Sequence, residues 1–313
     1  MRTTLLTMAL GAVLGIAAPV AAAHGAPPST LAGRIAPPAA HVIETFERAG
    51  MLAVRPHPLT PSELTKVEAA LAALPALHRR VLDTRLRRLS FVDGMPGHGS
   101  ALAARVGDTG QFDITLRASL LHESLAEFLT TKERRLFQAD GSGNTVAFDA
   151  GGAGALAYIL LHETTHVVDA ALGLTARPDG VFTRRIWAPG EGKAPNALAP
   201  RWAASPAAAS RFRGAGLMPA GRAQLQYDAL ADTPFVSLYA TAAAAEDLAE
   251  LVAWHVVATK HGARITLSVR DADGALVKQY EPLRFPAVQA RVRLVEALLA
   301  EAERGAMPGA EPS

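Results

Sequence analysis

The feature that most constrains this chain is Tyr158-Ile-Leu-Leu-His162-Glu163-Thr164-Thr165-His166-Val167-Val168-Asp169, a His-Glu-x-x-His set inside an apolar run. The run has helical spacing, and on an α-helix residues four apart lie one above the other on the same face. Both imidazoles can then reach a single ion. Zn²⁺ suits that geometry, because it takes neutral imidazole and can leave a coordination position open for water. Glu163 follows the first histidine directly, so its carboxylate can reach a metal-bound water and remove its proton. The pattern predicts a helix that offers His162 and His166 as metal ligands and Glu163 as general base.

The remainder of the chain must supply a third ligand and the walls of a site. Half of the residues are hydrophobic, much of that Ala, and only 5% are aromatic, which predicts a helix-rich, aliphatic interior. There is no cysteine, so disulfides and thiolate metal sites are excluded and the donors must be His or carboxylate. A formal net charge of +2 without any Lys/Arg run gives no reason to expect a nucleic-acid partner. Residues 1–23 read as a secretory signal peptide: Arg2 gives a basic start, 5–18 an apolar core, and Ala21-Ala22-Ala23 a small-residue cleavage site. The expectation is therefore an exported protein, periplasmic or secreted. No later segment reaches transmembrane length, so no membrane span is expected.

Residues 24–58 are rich in Pro and Ala and read as a linker or loosely packed arm, with one short helical piece around 41–49. A catalytic domain is expected over 59–305, followed by a disordered tail, 306–313. Thr60-Pro61-Ser62-Glu63 is a helix start with a capping box, and Leu64, Val67, Leu71 and Leu74 mark the buried face of that helix. Short strands are expected at 89–93, 111–117 and 144–148, with a helix over 125–137. Asp149 is placed to cap the motif helix, which should run from the glycines at 151–154 to about Leu172. His122-Glu123 begins a second copy of the motif but fails, since position 126 is Ala. Residues 173–226 keep no period for long, and their eight Arg/Lys face only Asp179 and Glu191. A stretch of that length is functional or disordered in most domains. A helix over 241–260, a hairpin over 264–280 and a last helix over 288–303 complete the α+β reading.

The first helix of the second half carries Glu246-Asp247-Leu248-Ala249-Glu250. A carboxylate one turn inside this helix can complete a His₂Glu site, and Glu250, one turn on, can accept a hydrogen bond from a ligand imidazole. Taken alone, an acidic pair at this spacing is more often a solvated helix face. A metzincin-type continuation is absent, because Asp169 and Leu172 stand where Gly and His or Asp would be. Asp169 lies two turns after His162, and reads either as a partner of a ligand or as a solvated surface residue. His255 falls opposite Glu246 on its helix and reads as structural.

Together, His162-Glu-x-x-His166-Val-Val-Asp169, then Tyr239-Ala240, then Glu246-Asp-Leu-Ala-Glu250 resembles the gluzincin metallopeptidases of the lethal-factor-like and Pro-Pro-endopeptidase-like group. The resemblance covers roughly 110–260. It implies a zincin-like fold, with a small mixed sheet before the motif helix and a helical second half carrying the Glu ligand. It further implies His162, His166 and Glu246 as zinc ligands, Glu163 as general base and Tyr239 as hydroxyl donor to the oxyanion. The stretch between the two ligand helices is longer than this family leads one to expect. The expected activity is zinc-dependent endopeptidase cleavage of a peptide or protein substrate, bound as an added strand along 111–117. The competing reading is a non-catalytic exported protein that binds zinc or uses the helix pair as scaffold.

Overall fold

In the computed structural model, which describes residues 15–16, 30–95, 100–177, 179–188 and 197–303, the strands up to Arg117 join in one mixed sheet. Strands β1 (Leu86–Asp93) and β3 (Gln111–Arg117) run parallel, and β2 (Ala101–Val106) is antiparallel to β3. Arg55–Pro56 adds to the far side of β1, and Gly15–Ile16 lies along the outer edge of β2. This corrects the expectation that 111–117 forms the edge: β3 is central, and on its β2 side the rim is the two-residue strand Gly15–Ile16. The alternation of β3 misleads because its polar residues are buried too. Asp113 is 1% exposed and is held by the guanidinium of Arg87, whose Nε donates at 2.8 Å. Strand β2, Ala-rich and poor in β-branched residues, carries little strand signal of its own.

Alternation sorts the sheet's side chains onto two covered faces. Leu89, Phe91 and Ala103 face the main core, whereas Val92, Leu102 and Ala104 pack with Val42, Phe46 and Val54 from the stretch read as an arm. Helix α1 (Ala40–Arg48) therefore covers the second face, and residues 30–58 belong to the packed body. Arg34 fixes their start by donating from Nη1 to Leu82 O at 2.6 Å and from Nη2 to Asp83 O at 2.5 Å. The signal peptide expected at 1–23 lies outside the described residues, Gly15–Ile16 excepted, as does the 306–313 tail.

Helix α2 (Pro61–Ala73) starts on the expected capping box, Glu63 N donating to Thr60 Oγ1 at 3.3 Å and Thr60 N to Glu63 Oε2 at 2.8 Å. Val67, Leu71 and Leu74 are buried, but Leu64 is 36% exposed and falls off the core face. Pro75 ends that helix, and α3 (Ala76–Arg85) follows at once. Helix α4 (Leu125–Arg134) leads through strand β4 (Thr145–Asp149) to α5 (Ala155–Leu172), the motif helix. Asp149 does not cap α5: its Oδ1 accepts from Gly151 N at 2.8 Å, and the N-cap is Gly154. The C-terminus is closed by Gly173 at φ 66°, a left-handed conformation that glycine adopts without a Cβ clash.

The second half wraps the other side of α5. Helix α6 (Ala223–Ala231) precedes α7 (Ala244–Lys260), which packs along α5, and β5 (Thr266–Arg270) joins β4 and β6 (Leu276–Tyr280) in an antiparallel sheet. Helix α8 (Pro286–Glu303) closes the fold. Where described, 173–226 is irregular yet packed. Phe182, Trp187, Leu198, Ala207 and Met218 enter the core, and Trp187–Ala188 pairs with Ala197–Leu198. No helix among the described residues is long and apolar enough to cross a membrane.

Candidate metal centre

Helix α5 is enclosed over Tyr158–Val168, and His162, Glu163 and His166 are buried with it. From α7, Glu246 enters the same point one turn inside the helix, where the N-terminal dipole favours a carboxylate. His162 Nε2 lies 3.1 Å from Glu246 Oε2 and 3.2 Å from His166 Nε2, and His166 Nε2 lies 3.4 Å from Glu246 Oε2. Donors about 2.0–2.1 Å from one tetrahedral ion stand about 3.3 Å from each other. The three atoms thus have the mutual spacing of a zinc-type ligand triangle, and this group could hold a metal ion.

Glu163 stands beside the triangle with both carboxylate oxygens buried and without a hydrogen-bond partner. Such a group costs free energy unless something fills the space it faces, so its orphaned oxygens point to an occupant absent from the protein itself. Tyr239, in the turn Tyr239–Thr241, stacks its ring on His162 at 5.9 Å between centroids and 29° between planes. Its hydroxyl is buried and makes no aligned hydrogen bond; burial, with the Glu246 and Glu250 carboxylates nearby, pushes its pKa up.

Glu250 supports the first histidine. Its Oε1 is 3.3 Å from His162 Nδ1, an ion-pair separation lacking hydrogen-bond alignment, and accepts from Lys132 Nζ at 3.2 Å and from the Tyr158 hydroxyl. Its Oε2 accepts from Ser237 Oγ at 2.6 Å. Burial alone would raise the Glu250 pKa, but Lys132 and His162 override it and hold the carboxyl well below the usual range. Burial lowers the His162 pKa, and the two carboxylates it faces, Glu246 and Glu250, reverse that and lift it to about 9 in the metal-free protein. Glu163 moves up, because burial outweighs the two imidazoles. Glu246 moves down despite burial, because His166 and His162 face it.

Asp169 is not joined to a ligand by a hydrogen bond. Its two oxygens accept from Thr175 N at 2.8 Å and Thr175 Oγ1 at 2.5 Å, fixing the exit from α5. His255 lies 3.7 Å from Glu296 of α8, away from the triangle. The supporting side chains Lys132, Tyr158 and Ser237 escape sequence reasoning. Tyr158 could have been found, since it precedes His162 by four residues on the same helix face. Lys132 and Ser237 reach the centre through tertiary packing alone and leave no local signal.

A buried His₂Glu triangle with an unpartnered glutamate beside it defines the class of site: a candidate centre for a metal ion. Compared with family models, curated proteins and solved structures, the chain matches none.

Proposed function

We propose that this protein is an exported zinc-dependent endopeptidase with a zincin-like fold. One observation carries the reading: the ligand spacing of His162, His166 and Glu246 occurs beside a Glu163 whose oxygens are both buried and unpaired. Holding a metal would not require that carboxylate, whereas moving a proton would. Bound at this triangle, Zn²⁺ would polarise a carbonyl and lower the pKa of a water towards about 7. Glu163 takes the proton of the attacking water and returns it to the leaving amine. The Tyr239 hydroxyl donates to the oxyanion as charge develops. Glu250 holds His162 from behind and keeps its Nε2 turned to the ligand point. A substrate strand adding to the first sheet would pair along β2, and removal of residues 1–23 would vacate the edge that Gly15–Ile16 occupies.

The enclosure of the centre supports a second reading, a non-catalytic exported zinc protein. His162 and Glu163 have no exposed surface, so in this conformation the centre is shut off from a peptide in solution. Metal analysis and cleavage of a random peptide library by purified protein separate the two. The wild type is expected to carry one zinc and to cleave peptides, and His162→Ala to lose nearly all its zinc. Stoichiometric zinc in His162→Ala would overturn the ligand assignment, and zinc without cleavage would favour the second reading.

A further inference from the structure

Among the described residues, three cationic side chains other than histidine are buried: Arg34, Lys132 and Arg291. Arg34 caps α3, and Arg291 pairs with Asp247 at 2.7 Å. Lys132 pairs with Glu250, a carboxylate that itself faces the candidate ligand His162. The lysine extends from α4 into the wall of the metal centre, where its ammonium meets two side chains at once. Nζ donates to Glu250 Oε1 at 3.2 Å and stands 4.0 Å from the centroid of the Tyr239 ring, with Phe212 at 5.9 Å beyond. Phe212 packs edge-on against Tyr239 at 4.8 Å, so the tyrosine ring is held between His162, Lys132 and Phe212.

Lysine is among the residues least often fully buried, and apolar packing could be met more cheaply by Met or Leu. What the ammonium adds is charge at two chosen atoms. Over the face of a ring, a cation is attracted by the quadrupole and draws electron density from it. A phenol so placed becomes a stronger hydrogen-bond donor, and the Tyr239 hydroxyl makes no aligned hydrogen bond within the protein. At the other contact, Lys132 grips the Glu250 oxygen that lies 3.3 Å from His162 Nδ1. A cation on that oxygen limits where the Glu250 carboxylate can sit, and partners of this kind orient a metal-ligating histidine.

We propose that Lys132 is a positioning residue of this centre, acting through Glu250 on His162 and through the ring face of Tyr239 on its hydroxyl. The Tyr239 arm rests on the endopeptidase reading, whereas the Glu250 arm requires only that the triangle bind zinc.

The test is a pair of double-mutant cycles on the full chain, Lys132→Met with Glu250→Gln and Lys132→Met with Tyr239→Phe. Zinc affinity is read by chelator competition, and kcat and KM are read on zinc-saturated protein with a peptide substrate. Lys132→Met is expected to weaken zinc binding about 10–100-fold, the usual cost of losing a partner behind a metal ligand, and to add little once Glu250 is Gln. Its kcat is expected to fall by about 10–100-fold at nearly constant KM. In the Tyr239→Phe background that fall shrinks to a few-fold. Lys132→Arg restores most of both. A packing role alone would lower the melting temperature and leave zinc affinity and kcat in place, and that result, or additive cycles, overturns the proposal. If Lys132→Met does not fold, Lys132→Gln, which keeps a donor but no charge, is read in its place by the same criteria. A wild type that binds zinc without cleaving peptides would end the endopeptidase reading, and the Glu250 cycle would still decide the role of Lys132.

Discussion

Glu163→Gln is expected to retain one zinc per chain and to lose about 10²–10⁴-fold in kcat, the usual contribution of a positioned general base. The substitution keeps shape and removes only the capacity to accept a proton. Glu163 is outside the ligand triangle, so metal content should be unchanged. Its carboxylate is buried without a partner, and burial shifts its pKa upward, so the charged form is held at a cost in the metal-free protein. A neutral amide relieves part of that cost, and thermal stability should be equal to or above wild type. Lost turnover with retained zinc and retained stability cannot then be put down to misfolding. Cleavage at wild-type speed by this variant would remove Glu163 from the base role.

Asp247→Ala should produce the largest loss of stability. Asp247 sits next to Glu246 but turns away from it, accepting from Arg291 Nη1 at 2.7 Å through Oδ1 and from Trp187 Nε1 at 2.9 Å through Oδ2. It is fully buried, and Arg291 is 4% exposed, with its guanidinium 4.0 Å over the Phe182 ring. Removing one partner of such a pair leaves a buried charge unpaired, at a cost of about 3–5 kcal/mol. The same change orphans the indole N–H of Trp187, whose ring packs on Phe235 at 5.9 Å. Urea unfolding of the metal-free protein measures the effect directly. A loss below about 1 kcal/mol would mean that Arg291 finds another partner or reaches water, and that the junction is looser than its burial indicates.

How much of this was legible in the sequence follows from how each signal arises. The motif helix was readable because His162, Glu163 and His166 are four residues apart or closer, and helical periodicity fixes such neighbours locally. The Thr60 capping box was legible for the same reason. Glu246 is different: its place depends on α7 packing along α5, and the family-like pattern of Tyr239 and Glu246 pointed to it where periodicity could not. The centre of the first sheet was misread because Asp113 and Thr115, polar by type, are buried by helix α1 and an ion pair. The described residues of 173–226 show no period because they pack as single anchors. Phe182 and Trp187 each meet a partner far along the chain, and Arg213 donates to Thr241 O at 2.6 Å.

The ligand triangle draws on two helices whose donors, His162 and Glu246, are 84 residues apart in the chain. An ion seated there would be a clasp between the two halves of the molecule, closing a loop of that length. The unfolded chain offers no comparable assembled site, so the free energy of loading the ion is largely free energy of folding. With free metal at 100 times its dissociation constant the clasp contributes about 2.7 kcal/mol, a sizeable share of a domain's whole stability. The population of folded molecules would then follow the metal supply of whatever compartment the chain is in. Starvation for the ion would act first on abundance, through unfolding and proteolysis, and only second on the chemistry of the molecules that remain.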